Sequence, residues 1–227
     1  MKGSGETKLL MILGLIVVLG VGAMFLLNRM SPTDATPTPP PTPKPFAWTD
    51  ETFNQLTKDA PNVLDAPNAT VTIVEFADFE CASCRRAFSG VLEKLKKEKL
   101  ARFHFRHLPL VEIHQRAMPA AMAVEAAGKQ GKFWEMYDKL FEGEKTELTD
   151  AYIEKSAKGI GLDMAKFKAD LIDPASKARI EKDIKAAEEF RIVSTPTFII
   201  KDAKGTYTQV VGSDALKAAL LKSGIAL

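Results

Sequence analysis

The run Val71-Thr-Ile-Val-Glu-Phe76 predicts a strand, and Arg102 to Leu108 alternates as a second one. Between them the spacing predicts a helix from just after Cys81 to about Lys99. The pattern then turns helical as far as Phe190. Gln115–Gly128 is alanine-rich, with Pro119 in its first turn, where proline is tolerated. Phe133, Tyr137, Leu140 and Phe141 recur at helical spacing and read as core positions. Thr149–Lys158, Met164–Leu171 and Ala175–Phe190 follow as further helices. Thr197–Lys201 and Tyr207–Val211 are predicted strands around the turn signal Asp202-Ala-Lys-Gly205, and Ser213 is expected to cap a last helix to about Ser223. Thr49–Thr57 reads as a short lead-in helix. The order is strand, helix, strand, several helices, two strands, helix. It implies an α/β fold with a right-handed βαβ crossover, a helical insertion at about 112–190 and a closing hairpin, all within one domain at 48–227.

The first part of the chain has a different pattern. Leu9 to Leu27 is an uncharged run of 19 residues. At about 1.5 Å per residue it reaches roughly 28 Å, close to the bilayer core of about 30 Å. A small-x-small pattern, Val21-Gly-Ala23, falls inside this run and not after it. The expectation is an uncleaved transmembrane anchor at 9–27 that holds the protein to the lipid bilayer, with a cytoplasmic N-terminus at 1–8. Lys2 and Lys8 before the span, against Arg29 after it, favour that orientation by a small margin. Residues 31–47 hold seven of the 13 prolines. They predict an extended linker of about 3.1 Å per residue.

The chain has 227 residues, 46% hydrophobic and 26% charged, with a net charge of +2. This is an ordinary globular balance and gives no electrostatic case for nucleic acid. There is no phosphate-cradling glycine loop and no nucleophile elbow.

The only two cysteines form Cys81-Ala-Ser-Cys84, at the junction of the first strand and its helix. A helix N-terminus offers unpaired N–H groups and positive partial charge, which favour the reactive thiolate. Three readings stand: a redox pair, a small structural disulfide, or half of a metal site. The structural bridge would close too short a loop to constrain the unfolded chain much. The metal site lacks nearby ligands, since His104, His107 and His114 lie well downstream and His104 and His107 face opposite sides of a strand. Glu75 shares a strand face with Val71 and Ile73. It is either a proton acceptor beneath Cys84 or a strand-end glutamate reaching water. Pro196 precedes the strand from Thr197, and the Thr195–Pro196 bond is either a trans strand opening or a cis turn presenting backbone to a neighbouring site. Asp78, Glu80, Arg85 and Arg86 flank the cysteines with opposing effects on a thiolate, and each also reads as a solvated surface charge.

Phe76-Ala-Asp-Phe-Glu-Cys-Ala-Ser-Cys-Arg-Arg86 resembles the active-site segment of the DsbA-like branch of the thioredoxin superfamily. Phe105-Arg-His-Leu-Pro-Leu110 resembles its second strand and turn, Gly131-Lys-Phe-Trp-Glu-Met-Tyr137 its helical insertion, and Ser194-Thr-Pro-Thr-Phe198 its cis-proline loop. The resemblance runs from about Asn68 to the C-terminus. It implies a thioredoxin-like fold with an inserted helical domain, a nucleophilic Cys81, a buried Cys84, a proton-handling Glu75 and a cis Thr195–Pro196 bond that faces the cysteines and holds substrate. Ala82 and Ser83 depart from the proline and histidine that many relatives carry there, so redox strength does not transfer.

The expected function is extracytoplasmic thiol–disulfide exchange at Cys81–Cys84, introducing disulfides into exported, cysteine-containing proteins. No cofactor is expected beyond the redox-active disulfide. The resemblance suggests reoxidation by a membrane partner of the DsbB or VKOR type. The apolar run, its flanking charges and the thiol chemistry together lead to the expectation of a single-pass protein of the bacterial cytoplasmic membrane with its catalytic domain in the periplasm or at the cell surface, and a monomer is expected. The rivals are a reductase or isomerase of the same fold, and a non-catalytic metal carrier or peptide binder.

Overall fold

The computed structural model describes residues 46–58, 60–142 and 148–227. The expected cytoplasmic N-terminus and membrane anchor, and the linker up to residue 45, lie outside the described residues. Among the described residues no helix is long and apolar enough to cross a membrane. Residues 45–227 cluster as one compact unit.

Helix α1 (Asp50–Thr57) starts at Thr49, whose hydroxyl accepts from the Thr52 N–H, and Thr52 returns the bond in a reciprocal cap. Strand β1 (Val63–Leu64) is followed by β2 (Thr72–Ala77). Helix α2 (Ala82–Ala87) passes through a π-helical turn, Phe88–Leu92, into α3 (Glu93–Lys97). Strand β3 (Arg102–His107) runs parallel to β2, as a helical crossover requires. Five helices then intervene: α4 (Ala117–Gly128), α5 (Phe133–Glu142), α6 (Asp150–Gly159), α7 (Met164–Asp170) and α8 (Pro174–Glu189). Hairpin β4 (Thr197–Lys201) and β5 (Tyr207–Val211) and helix α9 (Ser213–Lys222) complete the unit.

The sheet order is β1-β3-β2-β4-β5, with only β2–β3 parallel. This is a thioredoxin-like mixed sheet with helices inserted between β3 and β4. Strand β2 is central and covered on both faces. Ile73 packs with Phe103 and Ile200 into a core shared with α2 to α5 and α9. Val74, Phe76 and Ile199 pack on the other face with Phe53 and Leu56 of α1 and Ala187 of α8. Glu75 points with Ile73 by the two-residue period and so faces the larger core.

Three local expectations change. Strand β1 was not expected; two residues are too few to show a period, and it exists only because it pairs with β3. The helix after Cys81 contains a π turn that periodicity did not signal. Ser213 is the first residue of α9 and not its cap: Gly212 occupies the cap position at φ 84°, a conformation open to glycine.

Candidate active site

Cys81 sits at the N-cap of α2 with extended backbone, at the end of β2's exit loop. Its backbone N–H bonds the Asp78 carbonyl at 3.1 Å. Cys81 is 8% exposed and Cys84, one turn on, is 0% exposed. One cysteine thus meets solvent and the other does not, and both are free thiols here. The Thr195–Pro196 bond is cis. It places the Thr195 carbonyl 3.5 Å from Cys81 Sγ, which donates to it. The Thr195 hydroxyl is buried beside it and, among the described residues, has no partner at ordinary hydrogen-bond geometry.

The thiols are driven apart in acidity. A hydrogen bond from the Cys84 thiol, against an opposing effect of burial, brings Cys81 down to about 5; Thr195 and the backbone N–H groups of Cys84 and Ser83 assist. Burial pushes Cys84 well above the ordinary thiol range, and its bond to Cys81 and the nearby charges of Cys81 and Glu75 add to this. A thiolate at the surface over a protonated thiol beneath it is the arrangement that exchange chemistry needs.

Glu75 is fully buried on the Cys84 side of β2. Of its two earlier readings, the water-reaching one is excluded. Tyr137 Oη donates to its Oε2 at 2.9 Å, and among the described residues its Oε1 has no partner. Burial pushes the carboxyl up to about 8, although Tyr137 and the charge of Lys96 pull the other way. Lys96, on α3, lies 4.3 Å from the centre of the Tyr137 ring and pairs with Asp138. Tyr137 was expected only as a core residue. It is fully buried, and its hydroxyl also reaches the site.

Asp78 is a correction. It is 1% exposed and is not a solvated surface charge. Its carboxylate accepts from the Glu80 and Leu110 backbone N–H groups at 2.8 and 2.9 Å and pairs with His114 Nδ1 at 2.7 Å. It ties the Cys81 loop to the segment after β3. Glu80 accepts from the Arg116 backbone N–H at 2.6 Å on the same seam. Arg85 donates to the Phe79 carbonyl. His107 pairs with Glu125 at 2.9 Å, in a buried network with Asn62 and Arg179. Among the described residues no group of three or more His, Cys, Asp or Glu could hold a metal ion.

Comparison with known proteins agrees with this architecture. A thioredoxin-like oxidoreductase from Silicibacter pomeroyi DSS-3 superposes with TM-score 0.63 at 27% identity, covering 77% of this chain and 98% of that one. The aligned part is almost the whole of that solved chain, so a fold of this extent holds together there without further chain. Oxidised BdbD from Bacillus subtilis superposes with TM-score 0.57 at 26% identity, covering 71% of this chain and 91% of that one. A Salinispora tropica protein named Na(+)/H(+) antiporter NhaA 3 is 38% identical over 167 residues, which are 73% of this chain and 25% of that protein. The chain thus spans about a quarter of the length of the curated relatives it matches. A family model described as Thioredoxin matches residues 57–220. Sequence and fold therefore converge, and the chain belongs to the thioredoxin family, with DsbA-like structural neighbours.

Proposed function

We propose that this protein is an extracytoplasmic thiol–disulfide oxidoreductase that introduces disulfides into exported proteins. The observation that carries the reading is the split acidity of Cys81 and Cys84. A stabilised Cys81 thiolate lowers the free energy of the reduced protein and so makes its disulfide the more oxidising. About 5 lies between the thiolate values of about 3.5 for DsbA and about 7 for thioredoxin.

In the oxidising cycle the Cys81–Cys84 disulfide is the starting state. A client thiolate attacks Cys81 Sγ and the Cys81–Cys84 bond breaks, with Cys84 leaving as a thiolate. Protonated Glu75 supplies the proton that neutralises it. A second client thiolate then attacks the client sulfur of the mixed disulfide. The client leaves with a new disulfide, two electrons remain on the protein, and Cys81 departs as the stabilised thiolate. Backbone at Thr195 and Pro196 holds the client segment beside Cys81. Turnover needs no dissociable cofactor, only a membrane redox partner of the DsbB or VKOR type that removes the electrons. The apolar run at 9–27 anchors the protein to the membrane.

The reduction potential of Cys81–Cys84, equilibrated against glutathione, tests the direction. The expected value lies above about −200 mV, towards the roughly −120 mV of DsbA. A value near the roughly −270 mV of thioredoxin would make the protein a reductase and overturn the oxidase assignment.

A further inference from the structure

The end of the sheet away from Cys81 carries a second cleft, of about 490 Å³, between α1 and the sheet. Thr72, which opens β2, lies directly opposite Arg102 on β3 and Lys201 on β4. These three form one row across the sheet. His104, two residues after Arg102, shares that face. Asn54 of α1 and Lys58, the residue that follows the helix, line it from the other side. Three cations line it, and among the described residues no carboxylate does.

We propose that this cleft binds a phosphate group, held by Lys58, Arg102 and Lys201 with the Thr72 hydroxyl and the His104 ring as further donors. This site is independent of the thiol chemistry. Three cations and neutral donors converging from the end of a helix and from three strands suit a tetrahedral anion with several acceptor oxygens better than a planar carboxylate with two. Lys58 and Thr72 have no side-chain hydrogen-bond partner among the described residues, since neither occurs in any side-chain bond or ion pair there. Asp65 pairs with Arg102 at 2.8 Å and Asp50 with Lys201 at 2.5 Å, but both aspartates are largely exposed. Exposed pairs of this kind are weak and exchange readily with a bound anion. Even with both aspartates the cleft keeps excess positive charge.

His104 is 5% exposed, and among the described residues its Nδ1 has no hydrogen-bond partner. A buried lone pair without a partner costs less than a buried N–H without one, so the proton belongs on Nε2, as a donor. Burial, then the charges of Arg106 and Arg102, hold the imidazole down at about 4, with Asp65 opposing. Lys58 and Lys201 face the same space from α1 and β4. An anion among these groups would offset their charge and raise the His104 titration.

The source of the phosphate is either a small soluble phosphate or the headgroup of an anionic lipid, and two arms separate them. In the first, the compact unit 45–227 is titrated by NMR in inorganic phosphate and in sodium chloride of equal ionic strength, with the His104 signal assigned through His104→Gln. The expected result is a midpoint about one pH unit higher in phosphate, equivalent to about tenfold tighter binding to the protonated form. The double variant Arg102→Met, Lys201→Met should lose the shift, and so should Lys58→Glu, which alters only the helix side. In the second arm the same unit is sedimented with phosphatidylglycerol or phosphatidylcholine vesicles. Selective binding to phosphatidylglycerol that the double variant loses assigns the headgroup; a phosphate shift without vesicle binding assigns a soluble phosphate. Equal midpoints in phosphate and chloride, or a shift that both variants retain, would overturn the site.

Discussion

Tyr137 Oη donates to Glu75 Oε2 across 2.9 Å, and both residues are fully buried. The tyrosine comes from the helical insertion and the glutamate from the central strand, so the insertion supplies part of the environment beneath the active-site helix. The bond favours the charged carboxylate, as does Lys96 over the tyrosine ring, and both oppose burial.

Tyr137→Phe keeps the ring and its contacts with Phe79, Phe88 and Phe141 and removes only the hydroxyl. A hydrogen bond to a charged group contributes about 1.5–3 kcal/mol, so the Glu75 titration should rise by about one unit or more. Glu75 would then hold its proton across the neutral range and would not accept one from Cys84. When Cys84 acts as the resolving nucleophile, its attack on the mixed disulfide should slow about tenfold at pH 7, with the pH profile displaced upward. Stopped-flow decay of a mixed disulfide across pH 6–10 measures this. A Tyr137→Phe profile that overlays the wild type would remove the tyrosine from the site, whereas Glu75→Gln tests the base itself.

The trapping pair tests the roles of the two sulfurs. Cys81→Ser should abolish exchange, because the remaining thiol is buried and held protonated. Cys84→Ser should leave Cys81 reactive and accumulate mixed disulfides with client proteins, visible on non-reducing gels. Exchange retained in Cys81→Ser would sink the nucleophile assignment.

Much of this site is legible in the sequence. The cysteine pair, the strand before it and the Ser-Thr-Pro-Thr loop are local signals, and the fold brings Cys81 and Thr195 together as the resemblance implied. What sequence did not reveal depends on contacts between distant segments. Helical spacing marks Tyr137 as core, but nothing in Gly131–Tyr137 says that its hydroxyl meets a carboxylate 62 positions earlier. Asp78 looks like an exposed charge beside Glu80 because the segment that covers it lies about thirty residues on and is linked to it through the Leu110 N–H and His114. Strand β1 is invisible for the same reason: its two residues are a strand only against Phe103 and His104.

Asp78 gives a stability prediction from those contacts. Asp78→Ala removes the acceptor of two backbone N–H groups and the partner of His114 in a buried setting. Leaving such groups without partners costs about 3 kcal/mol. The variant should lose that much in urea unfolding. It should also exchange the Leu110 amide faster, since that bond closes the seam beside Cys81. An unchanged midpoint would mean that Asp78 does not hold the seam.

The final prediction concerns pH. In the reduced protein Glu75 titrates at about 8, against 4.5 for an ordinary glutamate. Between those values the folded chain keeps a proton that the unfolded chain has released, so this group lowers stability as pH rises. Cys81 titrates at about 5, against 9.0 for an ordinary thiol. Across its window the unfolded chain holds the extra proton, so this group raises stability as pH rises and loses its contribution as pH falls through about 5. Each slope reaches about 1.4 kcal/mol per pH unit, and where the windows overlap they oppose. These two contributions should therefore nearly cancel in the reduced wild type from about pH 5 to 8, on top of the rise that His104 adds up to about pH 6.5. Relative to wild type, Glu75→Gln should slope upward with pH and Cys81→Ala downward. Oxidation removes the Cys81 titration but not the burial of Glu75, so the oxidised protein should also slope downward relative to the reduced one. Urea midpoints taken across this range for the three reduced proteins and the oxidised wild type decide the matter. Parallel profiles would mean that the two groups do not carry these acidities, and the argument for an oxidising disulfide would fall with them.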